Sequence, residues 1–319
     1  MFKALVLVRN LQSTADRLDF GEFTIERVGL RFKELRDTFS SVDVNQDDWI
    51  FEKAYAVPPS GPPGSAVGNI PNDIEDILVL FRLYKVGDIA FVKQAIIQPS
   101  GNRVVQFPHR AMNDLNSYAA LQFELGPDEC EPWNTFAKGL RASQSWQSEW
   151  FSIARKFFLY GGANEFNPKW DDVDRVVDYA TALETILVPE QDFAKRRMSR
   201  RAAALVSPDD AAEQEAVTKI VKQLYDIRSS IVHGSKLSDK MREWLLKNCN
   251  QVELRIRQVL VAALQNVPPS ETDRRAMLTG VYDPDDEDRG AFALQMFYQI
   301  KSEAVRKAIA AKIAKLVGA

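Results

Sequence analysis

The chain has 319 residues, 45% hydrophobic and 27% charged, with a formal net charge of −3. These are ordinary values for a globular protein, and they carry no global basic excess, so any nucleic-acid site must be local. Cys130 and Cys249 are its two cysteines and form no CxxC pair, which excludes a disulfide framework and a Cys-rich zinc site.

From the N-terminus, "MFKALVLVRN" holds an apolar run too short for a signal-peptide core, with no small-residue cleavage site after it. No apolar run reaches bilayer-spanning length, so the expectation is a cytoplasmic chain with no membrane partner. Residues 1–125 read as strands. In "EFTIERV", Phe23 and Ile25 take one face and Glu22, Thr24 and Glu26 the other. "DWIFEKAYAV", "ILVLFRLYK", "IAFVKQAII", "NRVVQF" and "YAALQFEL" are short, rich in β-branched and aromatic residues, and bounded by turn residues. "KVGD" (85–88) reads as a hairpin turn, and "VPPSGPPGSAVGN" (57–69) as a loop. Acids and an amide in "DVNQDDWIFEKA" (43–54) mimic a calcium loop. Asp48 stands where glycine is required and Ala54 where glutamate is, so the match fails. His109 reads as a lone loop histidine.

Helical periods begin after "LGPDECEPWNTF", where Pro127 and the following acids mark a helix start. "WFSIARKFFLY" ends at Gly161-Gly162, and "DDVDRVVDYATALETILV" ends before Pro189. "DFAKRRMSRRAAALV" stops before Ser207-Pro208. "DDAAEQEAVTKIVKQLYDIRSSIVHG" closes on Gly234, the expected C-terminal glycine. "SDKMREWLLKNCNQVELRIRQVLVAAL", with Ser238 as its cap, and "EAVRKAIAAKIAKLVG" complete the set; "DPDDEDR" (283–289) reads as a solvated loop. Trp146, Trp150, Phe157 and Phe158 make an aromatic stripe read as a core seam docking the two halves. The expected fold class is α+β. An antiparallel β-rich domain over 1–125, sandwich or barrel, precedes a connecting segment over 126–144 and an all-α domain over 145–319.

The chemistry concentrates in "LYDIRSSIVHG" (224–234), which holds one of the two histidines. Ile220, Leu224, Ile227 and Ile231 form the apolar stripe of a helix. Arg228, Tyr225, Ser229 and His233 then line its flank, where Arg228 and His233 can converge on one anion. The plainer alternative has His233 bonding the last carbonyls and Arg228 pairing with Glu184. "KRRMSRR" (195–201) packs five cations into seven residues. It reads either as a patch for an RNA backbone, carried by Arg196, Arg197 and Arg200, or as a solvated helix face. No Gly-rich phosphate loop, nucleophile elbow or HExxH is present.

"RSSIVHG" resembles the hallmark of the HEPN superfamily, an Arg, four to six residues, then a His near the end of a long helix. The order "VVDYATALETILVP", "AKRRMSRRAAALV", "KIVKQLYDIRSSIVHG" resembles the Apea-like branch, over roughly residues 145–265. The resemblance implies a HEPN helical bundle, and metal-independent, cofactor-free RNA cleavage at a homodimer interface. His233 would transfer protons, Arg228 would clamp the phosphate, and Glu184 would orient Arg228 or stand as a surface acid. Ser229 occupies a position where many HEPN ribonucleases carry Asn, Asp or His. The branch further implies anti-phage defence by cleavage of tRNA or mRNA, with the β-rich domain sensing an unknown trigger. The alternative is a non-catalytic module that binds RNA or a nucleotide, or that only dimerises.

Overall fold

A computed structural model describes residues 1–39, 44–56, 63–98, 100–101, 103–106, 122–163, 174–190, 194–282, 300 and 302–317. The chain divides into two compact units, Met1–Lys138 with Gly162–Phe166, and Gly139–Gly161 with Asn167–Ala319. The N-terminal region forms an antiparallel sheet and the C-terminal region is mostly helical. Among the described residues, no helix is long and apolar enough to cross a membrane.

The N-terminal unit is built on strands β1 (Phe2–Arg9), β3 (Arg17–Asp19), β4 (Phe23–Arg27), β5 (Trp49–Tyr55), β6 (Ala90–Ile97) and β7 (Arg103–Gln106). They form one antiparallel sheet in the order β3-β4-β5-β1-β6-β7. β2 (Leu11–Gln12) and β8 (Phe123–Glu124) make a separate parallel pair. β1 is apolar almost throughout because it is central and covered on both faces. Leu5, Leu7 and Ile50 pack on one side with Leu35 of helix α1 (Phe32–Thr38) and with Phe39. On the other side Phe23, its ring 4.8 Å from that of Phe51, meets Phe81 of helix α2 (Pro63–Tyr84) and Trp133 of helix α3 (Cys130–Arg141).

That helix cover corrects four expectations. "ILVLFRLYK" is the last part of α2 rather than a strand, and residues 63–69 of the supposed loop are its first turns. Residues 77–81 are each fully buried, and a helix buried all round shows the same unbroken apolar run as a buried strand. The decisive signal lies upstream, where Ile70, Ile74, Ile77 and Phe81 recur at helical spacing and are all buried. With α2 covering one face, the described residues of the unit form an open sheet flanked by helices, in place of the expected sandwich or barrel. "KVGD" accordingly bends α2 into β6 and is no hairpin turn. Gly87 there has φ +144°, and a Cβ would stand 2.8 Å from Phe123 Cα. His109, residues 57–62, residues 118–121 and the acid run 283–289 lie outside the described residues.

The C-terminal unit starts in the last turn of α3, takes in the larger part of α4 (Glu149–Ala163) and continues through α5 (Asp174–Leu187), α6 (Ala194–Val206), α7 (Ala211–Val232), α8 (Asp239–Asn266), α9 (Glu271–Gly280) and α10 (Glu303–Val317). Within α5–α8 each helix touches the other three. Their shared core includes Leu183, Met198, Leu224 and Ile256. The buried positions of α7 are Val217, Val221, Leu224 and Ile227. Ile220 and Ile231, placed on the stripe from sequence, are only half-buried. At about 100° per residue the core face is therefore rotated by roughly 35° toward Arg228.

Candidate functional site

The end of α7 is fixed by the backbone. Asp210 caps its start, accepting from the amides of Ala212 (3.0 Å) and Glu213 (3.1 Å). At the other end Gly234 takes φ +71°, donating to Ile231 O at 2.9 Å, while Ser235 N donates to Ser230 O at 2.8 Å. These two bonds form a Schellman closure, and the left-handed glycine is what permits it. His233 is the residue just before that reversal, with its N–H bonded to Ser229 O at 3.1 Å. The sequence "HG" thus sets an imidazole at the point where the helix stops.

The rotated core face explains what Arg228 does. It lies at the inner border of the stripe, next to α5, and its Nη2 meets Glu184 Oε2 at 2.9 Å. The guanidinium carbon stands 5.9 Å from the centre of the Tyr225 ring. Both partners of the ion pair keep partial access to solvent, 22% for Arg228 and 28% for Glu184. Arg228 Nε is buried with no hydrogen-bond partner among the described residues. One edge of a planar fork is thus fixed by a carboxylate, leaving further donors for an anion.

His233 is exposed, and its ring meets no partner among the described residues. It lies nearly opposite the core face, about 175° round the helix from its centre. Ser229 is half-buried between them, and its hydroxyl bonds nothing among the described residues. The fold therefore brings Arg228, Glu184 and Tyr225 together. It places His233 on the same helix end but turned outward.

The basic run 195–201 is not one surface. Lys195 Nζ bonds Asp226 of α7 at 2.7 Å. Arg196 is exposed, while Arg197 and Arg200 are half-buried. Arg201 is fully buried and donates to Leu187 O (2.7 Å), Glu190 Oε2 (2.8 Å) and Thr279 Oγ1 (3.2 Å). Arg197 and Arg275 also face Glu190, at 3.8 and 3.6 Å. Burial works to raise the Glu190 carboxyl, but the hydrogen bond and charge of Arg201, with Arg197, hold it below its ordinary value. Sequence reading missed this hub because nothing in "KRRMSRR" distinguishes a cation that pairs inward from one that faces water. Helical phase offered a clue, since Arg201 lies on the turn of buried Met198 and Ala202.

Among the described residues no three or more His, Cys, Asp or Glu side chains gather as a metal-binding group. No family model matches the chain, and neither a curated protein nor a solved structure matches it.

Proposed function

We propose that the C-terminal unit is a HEPN-type, Apea-like endoribonuclease that works without a metal, as a homodimer, in the cytoplasm. The observation that carries the reading is the end of α7: a guanidinium anchored on one edge by Glu184 and, five residues on, an exposed imidazole at the helix stop. RNA supplies its own nucleophile, a 2′-hydroxyl held beside the phosphate it attacks. The 2′-oxygen bonds to phosphorus as the bond to the 5′-oxygen breaks. One proton leaves the 2′-hydroxyl and one reaches the departing 5′-oxygen, leaving a cyclic phosphate and a free 5′-hydroxyl. An imidazole can take or give a proton and suits either transfer. Arg228 offers its remaining donors to the phosphate oxygens as charge builds on them.

Since Arg228 faces α5 and His233 faces away, a twofold dimer is the arrangement in which one subunit's His233 approaches the other's Arg228. Arg196 adds contact to the RNA backbone. The resemblance extends the reading to anti-phage defence through tRNA or mRNA cleavage, with the N-terminal unit sensing the trigger. The test is cleavage of RNA by the purified protein in EDTA. Cleavage with a 2′,3′-cyclic phosphate product supports the reading, and intact RNA overturns it.

A second reading rests on Ser229, which supplies no bonded polar group between Arg228 and His233. On that reading the unit binds RNA or a nucleotide, or only dimerises, without cleaving. RNA retention without cleavage in the same assay selects it.

A further inference from the structure

We propose that the N-terminal unit binds a small zwitterion, an amino acid or short peptide, in a cavity beside the β2–β8 pair, its carboxylate on Arg27 and its ammonium on Glu124. The cavity measures about 450 Å³, within the range of small-molecule sites. Its walls carry charges of both signs, with Gln12 and Thr14 among the polar lining groups.

Arg27 is set in advance. The Trp49 ring lies 4.7 Å from its guanidinium carbon, Nε meets Asp16 at 3.1 Å, and Nη2 donates to the Ser13 carbonyl at 3.3 Å. Nη1 takes no part in these contacts, and Asp16 is itself 72% exposed. A flat guanidinium held on a ring and gripped at one edge presents the rest of its fork to a carboxylate.

Lys85 does not compete with it for an anion. Its Nζ donates to both Glu129 oxygens, at 2.8 and 2.9 Å, and to the Glu124 carbonyl at 3.0 Å. Burial works to raise Glu129, but Lys85 and the Gly126 N–H outweigh it and keep the carboxyl below its ordinary value. The pair therefore neutralises itself. What remains is Arg27, which pairs with the exposed Asp16 through Nε alone and keeps Nη1 outside its contacts, and the exposed Glu124 carboxylate, which has no partner among the described residues. A simple anion would meet Glu124, and a simple cation would meet Arg27. A molecule with both ends finds a complement at each, and the unwanted single charges are rejected. The site lies in the other unit from the α7 motif and does not depend on the ribonuclease reading.

The test is calorimetric titration of the full-length protein with alanyl-glutamine, its N-acetyl form and its C-terminal amide. Alanyl-glutamine is expected to bind, and each blocked form to bind roughly tenfold or more weakly, the scale of one lost charge-assisted hydrogen bond. Glu124→Gln, an exposed change that leaves the described contacts intact, should erase the discrimination against the N-acetyl form alone. Arg27→Gln should erase the discrimination against the amide alone. Free glutamine showing the same two losses supports the site and names an amino acid, rather than a peptide, as its ligand. The proposal is overturned if neither zwitterion binds, if the blocked forms bind as well as the free one, or if Glu124→Gln leaves all affinities unchanged.

Discussion

His233 and Arg228 answer to different constraints, and substitution separates them. His233 is exposed with no side-chain partner among the described residues, so His233→Ala should change stability by no more than about 0.5 kcal/mol. The same change should slow RNA cleavage roughly 10²–10⁴-fold, the range for a general acid or base. Arg228→Ala should cost cleavage on a similar scale and also about 1 kcal/mol of stability, because Glu184 loses its partner. Arg228→Lys should rescue only in part, since an ammonium cannot hold Glu184 and a phosphate with one planar fork. Melting curves and single-turnover rates on the same samples check all three. If His233→Ala and Arg228→Ala both cleave at the wild-type rate, the motif is not the site. The residue types and the glycine stop at 233–234 were legible from sequence, because a C-terminal Gly has one backbone use there. The direction of Arg228 was not. Ile220 and Ile231 carry the same apolar signal as Val217 and Val221, and only the packing shows which set faces the core.

At the scale of elements, α6 and the turn after α5 are joined by the buried charges around Glu190. Glu190 is held below its ordinary carboxylate value in the folded protein. Its contribution is therefore present above the unfolded value and lost as pH falls through the folded one. Glu190→Gln should lower stability at neutral pH and flatten the loss of stability below about pH 4.5. Urea unfolding at pH 7 and at pH 3 checks the slope; a variant with the wild-type pH dependence would show that the hub holds no charge-dependent stability. Arg201→Met should remove the nearest guanidinium from Glu190 and leave it to Arg197, Arg275 and Thr279, at a cost of roughly 2 kcal/mol, the scale of a lost hydrogen bond to a charged group. Arg196, exposed on the same helix, belongs to the surface instead. Arg196→Gln should weaken RNA binding and reduce its salt dependence by about one phosphate contact. Unchanged affinity and salt slope would make Arg196 a solvated residue. Helix α6 thus divides a charge run that looks uniform in sequence. The error over α2 has the same root: a short apolar run carries no period, and burial on all sides removes the polar face that would reveal one.

At the scale of the whole molecule, the α7 geometry asks for a second copy, and one exposed side chain offers a handle on it. Val232, in the last turn of α7 beside His233, is 53% exposed. A β-branched apolar side chain there would be covered by a partner helix in the proposed dimer, so Val232→Asp should give a monomer in sedimentation, with melting near wild type and cleavage lost. A dimer that persists and cleaves normally would put the interface elsewhere. Mixing inactive variants reads the composite site directly. In a heterodimer of His233→Ala and Arg228→Ala subunits, one site joins the intact Arg228 of the first to the intact His233 of the second, and the other site has neither. Random reassortment makes half the dimers mixed, with one working site of two, so about a quarter of wild-type activity should return. If instead each site draws its Arg and His from one chain, every site in the mixture lacks a residue and no activity returns. The first outcome requires the outward turn of His233 and the inward turn of Arg228 to be parts of one arrangement. The second would leave them as two unrelated features of a helix end.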